Sequence, residues 1–277
     1  MAEDKTKTFK AIQRVLTVKK KEYLTPHYIR VTLTADDIAA FSETTVGVNN
    51  KIMIPPAGLN EIHFPDFDYE KMEWIHAEEH LRPAVRTYTH RGIDVDKKEM
   101  WIDFVAHGDE GPASAWAINA VPGDVLGVLM HAGRTQLYPD AKYYLLVGDA
   151  TAIPVLSAIL ETLPPEATGT CVVEVHGVED EQIIETESGV KIHFIHNKQP
   201  QEGSRLEQEV RQLKLPLADV FGYVAAEYET VKGIRNYLRK ELGWNRETLY
   251  AYSYWKKGAS EDGSNRVRRE ESMHMDA

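Results

Sequence analysis

Residues 82–92 read RPAVRTYTHRG, an alternation of arginines, a tyrosine and threonines in a chain whose net charge is −11. In an extended strand successive side chains point to opposite faces, so Arg86 and Tyr88 share one face while Thr87 and Thr89 share the other. A guanidinium fork beside a flat ring suits a ligand that carries both phosphate and an aromatic system, as a dinucleotide does. Taken alone, the tetrapeptide reads first as an ordinary strand with a polar exposed face. The next element shifts the balance. In DFVAHGDEGPASAWA a strand runs into a turn with Gly108 and Gly111, and Pro112 suits the first position of a helix through Ala113, Ser114 and Trp116. A helix start preceded by glycines leaves backbone N–H groups free for an anion such as a pyrophosphate. A capped helix closing a barrel explains the glycines, but not their pairing with an Arg-x-Tyr-Thr strand.

A second candidate chemistry lies in IHAEEH, where His76, Glu79 and His80 have the H-x-x-E-H spacing of one zinc peptidase group. On a helix His76 and His80 would share a face, but no third ligand is identifiable and the run falls between strand-like segments; a solvated polar helix is the plainer reading. Cys171, the single cysteine, sits in the apolar run TCVVEV, which excludes an internal disulfide and points to a buried inert thiol.

The elements that must position these residues fall into two groups. Up to about residue 138 the pattern is strand-rich: FKAIQRVLTVKK, YIRVTLTA, KIMIP, AVRTYTHR, EMWIDFVAH and VLGVLMHAG, separated by turns such as PAGLN and VPGD. Six short strands with little helix predict a closed six-stranded antiparallel β-barrel over 1–138. From 139 to 277 apolar strands alternate with helices: YYLLVGD, ATAIPVLSAILETL, TGTCVVEVHG, VKIHFIH, SRLEQEVRQL, DVFGYVAAE, ETVKGIRNYLRKEL and TLYAYSYW. That alternation predicts a Rossmann-like parallel sheet covered on both faces, a β plus α/β two-domain chain. FPDFDYEKMEWIHAEEHL reads as an excursion between barrel strands, and ASEDGSNRVRREESMHMDA as a loose polar tail.

The acidic balance, with a pI near 5.5, argues against nucleic acid as a partner, so any anionic ligand needs a local basic pocket. No stretch approaches the roughly 18 apolar residues of a membrane span. MAEDKTKTFK lacks the apolar run of a secretory signal, so a cytoplasmic protein without membrane insertion is expected, and a monomer.

Spread in order along the chain, RTYT at 86–89, DFVAHGDEGPASAWA at 103–117, PGDVLGV at 122–128, LLVGDATAIP at 145–154, AAEYETVKGIR at 225–235 and YSYWKKG at 252–258 carry a resemblance. The sequence resembles the siderophore-interacting protein family, FAD-dependent ferric-siderophore reductases of the ferredoxin-reductase-like superfamily. The resemblance implies an FAD-binding barrel and a ferredoxin-NADP reductase-like second domain. It implies that Arg86 binds pyrophosphate, Tyr88 packs on the isoalloxazine and Thr89 hydrogen-bonds near the flavin N5. Thr87, His107, Gly108, Gly111, Pro112, Ala113 and Ser114 would complete the FAD site. Gly148, Asp149, Ala150, Thr151 and Glu227 would face the nicotinamide nucleotide, in a turn that lacks GxGxxG and by itself need only be structural.

Carboxylates Glu179, Asp180 and Glu181, after the strand CVVEV, suit ribose hydroxyls and would repel an extra phosphate, which leans toward NADH over NADPH; ferredoxin remains the other donor. Lys51 in KIMIP, with Lys256 and Lys257 after Tyr254 and Trp255, would meet a ferric siderophore, although each is as readily a solvated lysine. One departure concerns MHAGRTQ, where a Gly-Pro-Arg-Gly-like turn is usual: Arg134 either replaces the missing arginine, or His131 alters the pocket. The implied activity is hydride transfer from the nicotinamide to FAD and one-electron delivery to Fe(III), releasing iron. Another flavin reductase and a flavin- or siderophore-binding protein without turnover are the alternatives.

Overall fold

The computed structural model describes residues 11–68, 70–109 and 111–258. The predicted polar tail and the first ten residues lie outside them. The chain divides into two compact units, Met1–Tyr23 with Ile29–Gln136, and Leu24–Tyr28 with Leu137–Ala277.

In the first unit the strands are β1 (Ala11–Thr25), β2 (Tyr28–Thr34), β3 (Asn49–Ile54), β4 (Asp66–Asp68), β5 (Glu73–Ile75), β6 (Ala84–Thr89), β7 (Gly92–Asp94), β8 (Glu99–Val105) and β9 (Val125–His131), with one helix, α1 (Pro112–Asn119). The last residues of β1 belong to the second unit. Seven strands form one sheet in the order β6-β3-β9-β1-β2-β8-β7, and β4 and β5 pair separately as a two-stranded ribbon. The expected closed six-stranded barrel is therefore an open seven-stranded antiparallel sheet. The extra strand, β7, follows β6 after two residues and pairs Gly92–Asp94 with Trp101–Glu99, too short to stand out from the run before it.

Alternation decides which side chains enter the core. Leu16, Val18, Ile29, Val31, Leu33, Ile52, Ile102, Phe104, Leu126 and Val128 are buried together, and α1 closes on them with Ala113 and Ala117. Gly127 of β9 is required by packing: a Cβ there would lie 2.8 Å from Ile62 Cγ2 and 2.9 Å from Met53 Cβ. The segment between β3 and β6 thus lays Ile62 against the sheet face carrying Met53. In the VPGD turn, Gly123 takes φ +100°, a conformation L side chains rarely adopt.

The second unit contains β10 (Tyr143–Asp149), α2 (Ile153–Leu160), β11 (Thr168–Val175), β12 (Gly189–His196), α3 (Leu206–Gln212), β13 (Val220–Glu227), α4 (Tyr228–Asn236) and β14 (Leu249–Trp255). Its five strands are all parallel, in the order β12-β11-β10-β13-β14. Continuous apolar runs suit strands buried on both faces: every residue from Tyr144 to Gly148 is buried, as is every residue of α2. The strand order reverses at β10, between β11 and β13, so the carboxyl ends of β10 and β13 flank the crevice where open parallel sheets bind ligands. No helix among the described residues is long and apolar enough to cross a membrane.

Candidate functional site

β6 aligns with β3 so that Tyr88 faces Asn50, Thr87 faces Lys51 and Arg86 faces Ile52. Arg86 and Tyr88 share the face that packs toward the core, and Tyr88 stacks obliquely on Phe104 with ring centroids 4.6 Å apart. Phe104 in turn meets Trp116 at 5.7 Å, so an aromatic series joins β6, β8 and α1. Arg86 is half-buried and donates from Nη1 to the Val85 carbonyl at 2.7 Å. On the opposite face the Lys51 ammonium donates to the Thr87 hydroxyl at 2.5 Å. Thr89 is buried. The structure thus separates Thr87 from Arg86 and Tyr88, and gives Lys51 of β3 a partner on the neighbouring strand β6.

The helix start has no capping side chain. Gly111 is the N-cap of α1 and is followed by Pro112. The first helical bond on it runs from Ala115 N–H to the Gly111 carbonyl. The amides of Ala113 and Ser114 therefore lie in the first turn, where an α-helix has no backbone acceptors to offer them. Ser114 folds its hydroxyl back, donating to the Gly108 carbonyl at 2.6 Å and accepting from His107 N–H at 3.1 Å. That double tie fixes the loop, in which Gly108 has φ +93° and no atom within 4 Å of where a Cβ would stand. An uncapped first turn, an open glycine shoulder and a tied loop fit a dinucleotide phosphate. His107 is exposed beside them.

Behind β6 lie two buried polar side chains that nothing in the sequence singles out. Asn50 and His90 are 3% and 0% exposed, and neither amide nor imidazole finds a hydrogen-bond partner among the described residues. Burial pushes the His90 imidazole down to about 4. Further along the sheet, Asp103 is buried and receives two hydrogen bonds from the Arg30 guanidinium, at 2.7 and 2.8 Å.

At the carboxyl edge of the parallel sheet Asp149 is the organising group. Its carboxylate accepts from Thr151 N–H at 2.9 Å, Thr151 Oγ at 2.5 Å, Glu227 N–H at 3.1 Å and the Trp255 indole N–H at 2.7 Å. One carboxyl thus ties the ends of β10, β13 and β14 across the strand-order reversal. Burial raises its pKa above the ordinary carboxylate value, against the pull of the hydrogen bonds from Thr151 and Trp255. Glu227 follows a register shift and caps α4, accepting from Glu229 N–H at 2.6 Å and Thr230 N–H at 3.3 Å. Its other oxygen accepts from Lys257 N–H at 3.3 Å. The missing Cβ of Gly148 leaves room taken by Ala152, 2.4 Å from the Cβ position, and the Ala225 carbonyl at 2.8 Å. Gly148, Asp149 and Glu227 therefore shape this edge, leaving Ala150 and Thr151 on its half-exposed turn.

The basic candidates are largely engaged. Lys256 sits over the Tyr228 ring at 4.3 Å, whereas Lys257 is exposed. Arg134 donates to the carbonyls of Ser42 at 3.2 Å and Thr44 at 3.4 Å, anchoring its loop, and His131 Nδ1 lies 3.1 Å from the Ala132 carbonyl.

Several expectations are corrected. Of the three carboxylates after β11, Asp180 is 4% exposed and so withdrawn from a ribose, while Glu181 pairs with His196 at 2.8 Å. Asp180 receives Thr25 Oγ at 2.8 Å, His27 N–H at 3.0 Å and the His27 ring at 2.8 Å. Burial opposes its ionisation, but these bonds prevail and hold the carboxyl below its usual range. The H-x-x-E-H run is not helical at His76: only Glu79–Leu81 form a short 3₁₀ turn, and the exposed His80 leans on Glu78. His76 and His80 therefore do not share a helix face. Cys171, by contrast, is buried as expected, its thiol pushed up to about 12, which keeps it protonated.

The indole of Trp255 as a partner of Asp149, and Thr25 and His27 as partners of Asp180, escape sequence reasoning because their partners lie 106, 155 and 153 residues away. The only local signal was an aromatic pair ending the last strand.

Comparison with known proteins places this architecture. Residues 141–258 match the siderophore-interacting protein family, and residues 17–135 match the siderophore-interacting FAD-binding domain. The ferric vibriobactin reductase ViuB of Vibrio cholerae is 32% identical over 257 residues, which cover 92% of this chain and 93% of that protein. The siderophore-interacting protein SipS from Aeromonas hydrophila has a TM-score of 0.80 at 31% identity, covering 96% of this chain and 98% of its own. A ferredoxin NADP+ reductase from Neisseria gonorrhoeae shares the fold, with a TM-score of 0.58 at 14% identity over 87% of this chain and 98% of its own.

Proposed function

The chain belongs to the siderophore-interacting protein family, and from that membership we propose that it is an FAD-dependent reductase that takes electrons from NADH or NADPH and reduces a ferric siderophore. The observation that carries the reading is local: within the matched FAD-binding domain, an Arg86/Tyr88 strand face accompanies a helix start that has no capping side chain.

In this reading Arg86 neutralises the diphosphate, and the amides of Ala113 and Ser114 supply the neutral half of the same cradle. Ser114 ties His107 and Gly108 to the start of α1 through its two hydrogen bonds. Tyr88, fixed by Phe104, offers a flat surface of defined tilt, and Thr89 stands one residue on with a hydroxyl. When bound, FAD would supply the conversion of a two-electron donor into one-electron delivery, which Fe(III) requires. None of these residues has to act as acid or base. In the second unit Asp149 and Glu227 hold the strand ends in register for the nucleotide, with Ala150 and Thr151 presented to it. Lys51 is the cation of the first unit assigned to the iron chelate, and reduction loosens that chelate because anionic oxygen donors hold the less charged ion less tightly.

The test is the visible spectrum of purified protein made with ample riboflavin. Retained FAD that bleaches with NADH or NADPH under anaerobic conditions and recolours on adding a ferric chelate, with Fe(II) trapped by a colorimetric ligand, supports the reading. Protein that retains no FAD overturns it. Recolouring with quinones or free flavin but not with ferric catecholates, hydroxamates or carboxylates would identify a different flavin reductase. Flavin that stays oxidised with both nucleotides and with reduced ferredoxin would identify a binding protein.

A further inference from the structure

His27, His176 and Asp180 form a cluster that the flavin and nucleotide readings leave unused. All three belong to the second compact unit: His27 lies in the turn between β1 and β2, His176 directly follows β11, and Asp180 ends the short 3₁₀ turn after it. Their ligand-capable atoms lie within 4.8 Å of one another, the sole such group among the described residues. Asp180 Oδ2 is 2.8 Å from His27 Nδ1 and 3.9 Å from His176 Nδ1. In a tetrahedral site with metal–ligand distances near 2.1 Å, neighbouring ligand atoms sit about 3.4 Å apart. The two separations straddle that value, so small shifts of two side chains would close the site.

Three further details favour a cation over a simple hydrogen-bonded pair. The other oxygen of Asp180 is occupied by Thr25 Oγ and His27 N–H, which orients the carboxylate as an outer layer of donors orients a metal ligand. His176 Nδ1 is buried and has no hydrogen-bond partner among the described residues, a lone pair or proton left without a use. The imidazole rings lie 4.3 Å apart at 38°, close enough for a nitrogen of each to reach one ion. A fourth donor is at hand in Glu179, whose Oε1 is 3.8 Å from His176 Nδ1.

We propose that His27, His176 and Asp180 bind one divalent first-row transition-metal ion of the zinc or ferrous class, clamping the β1–β2 turn to the loop that follows β11. Two imidazoles and one carboxylate select such ions over magnesium or calcium, which prefer all-oxygen sites. Nothing in the cluster depends on flavin or on turnover, so the site stands or falls separately from the reductase reading.

The experiment uses the full chain carrying whatever flavin it retains, stripped with a chelator and titrated with Zn²⁺ by calorimetry. Metal content is measured after desalting, and histidine ring resonances are followed by NMR. Wild-type protein is expected to retain one zinc per chain and to shift two histidine spin systems. His176→Gln removes a ring whose Nδ1 now makes no bond, so the fold should persist while zinc affinity falls more than about 100-fold, beyond the loss typical of an outer-layer change. His80→Gln, at the exposed H-x-x-E-H run, should leave zinc binding unchanged. Absence of stoichiometric zinc in the wild type overturns the proposal, as does zinc that H176Q retains unchanged or that H80Q loses. Should H176Q prove unfolded, X-ray absorption of the zinc-loaded wild type decides: a first shell of two imidazoles upholds the site, and any other count overturns it.

Discussion

His90 should make the protein lose stability on mild acidification, by an amount the structure sets. The ring is 0% exposed, its nitrogens lack partners among the described residues, and burial lowers its pKa from 6.5 to about 4. As pH falls, the unfolded chain takes up a proton near 6.5, while the folded chain resists until about 4. Over that window the unfolded state binds more protons, so stability falls with falling pH. Linkage gives a loss of about 2 kcal/mol between about pH 7.5 and pH 5, and about 3 kcal/mol once both states are protonated. His90→Gln keeps a similar volume and cannot titrate. Unfolding free energies of wild type and H90Q from urea melts across this range should therefore differ by an amount that grows by about 2 kcal/mol toward pH 5, with the variant gaining. Carboxylates titrate in both proteins and cancel in the difference. An NMR titration locates the same event directly: the ring resonance missing from H90Q should not move above about pH 5. A difference between the proteins that stays flat with pH, or a His90 midpoint near that of an exposed histidine, would refute the burial argument.

Three other outcomes follow from the same reasoning. Trp255→Phe removes the indole donor to Asp149 and should cost about 1.5–3 kcal/mol where Asp149 is ionised; because Asp149's pKa is already raised, the urea-measured deficit should shrink as pH falls through it and the carboxyl becomes neutral. Ser114→Ala severs both ties of the loop before α1, so FAD retention on a desalting column should weaken about tenfold, with a stability loss of about 1 kcal/mol. Arg30→Met removes two charged hydrogen bonds from the buried Asp103 carboxylate, leaving Arg91 Nε 3.9 Å away, and thermal unfolding should show a loss of about 3 kcal/mol that Asp103→Asn in the same chain partly restores.

Much of this molecule was legible because its signals are local. Period-two alternation placed Arg86 and Tyr88 on one face and Thr87 on the other, and the glycine-proline pair marked where α1 begins. The apolar runs of the second half were long enough to read as buried strands, and YYLLVGD coincides with β10 residue for residue. What failed was non-local. Closure of the first sheet depends on how its end strands meet, which no strand pattern encodes, and β7 has three residues. The resemblance sets Asp149 and Glu227 facing a nucleotide, and their local sequence says nothing of what else they hold. Their donors, an indole 106 residues on and a helix start, also make them fasteners of the sheet edge. Asp180 was misread for the same reason, since its partners precede it by some 150 residues.

The assignment of Leu24–Tyr28 to the second unit means that the polypeptide enters that unit, leaves it and returns at Leu137. The two halves are consequently interlaced in covalent order and cannot be severed by one cut. A fragment beginning at Leu137 would lack Thr25 and His27, the groups that satisfy the carboxylate of Asp180, and a synthetic peptide spanning the missing turn is the natural agent to complement it.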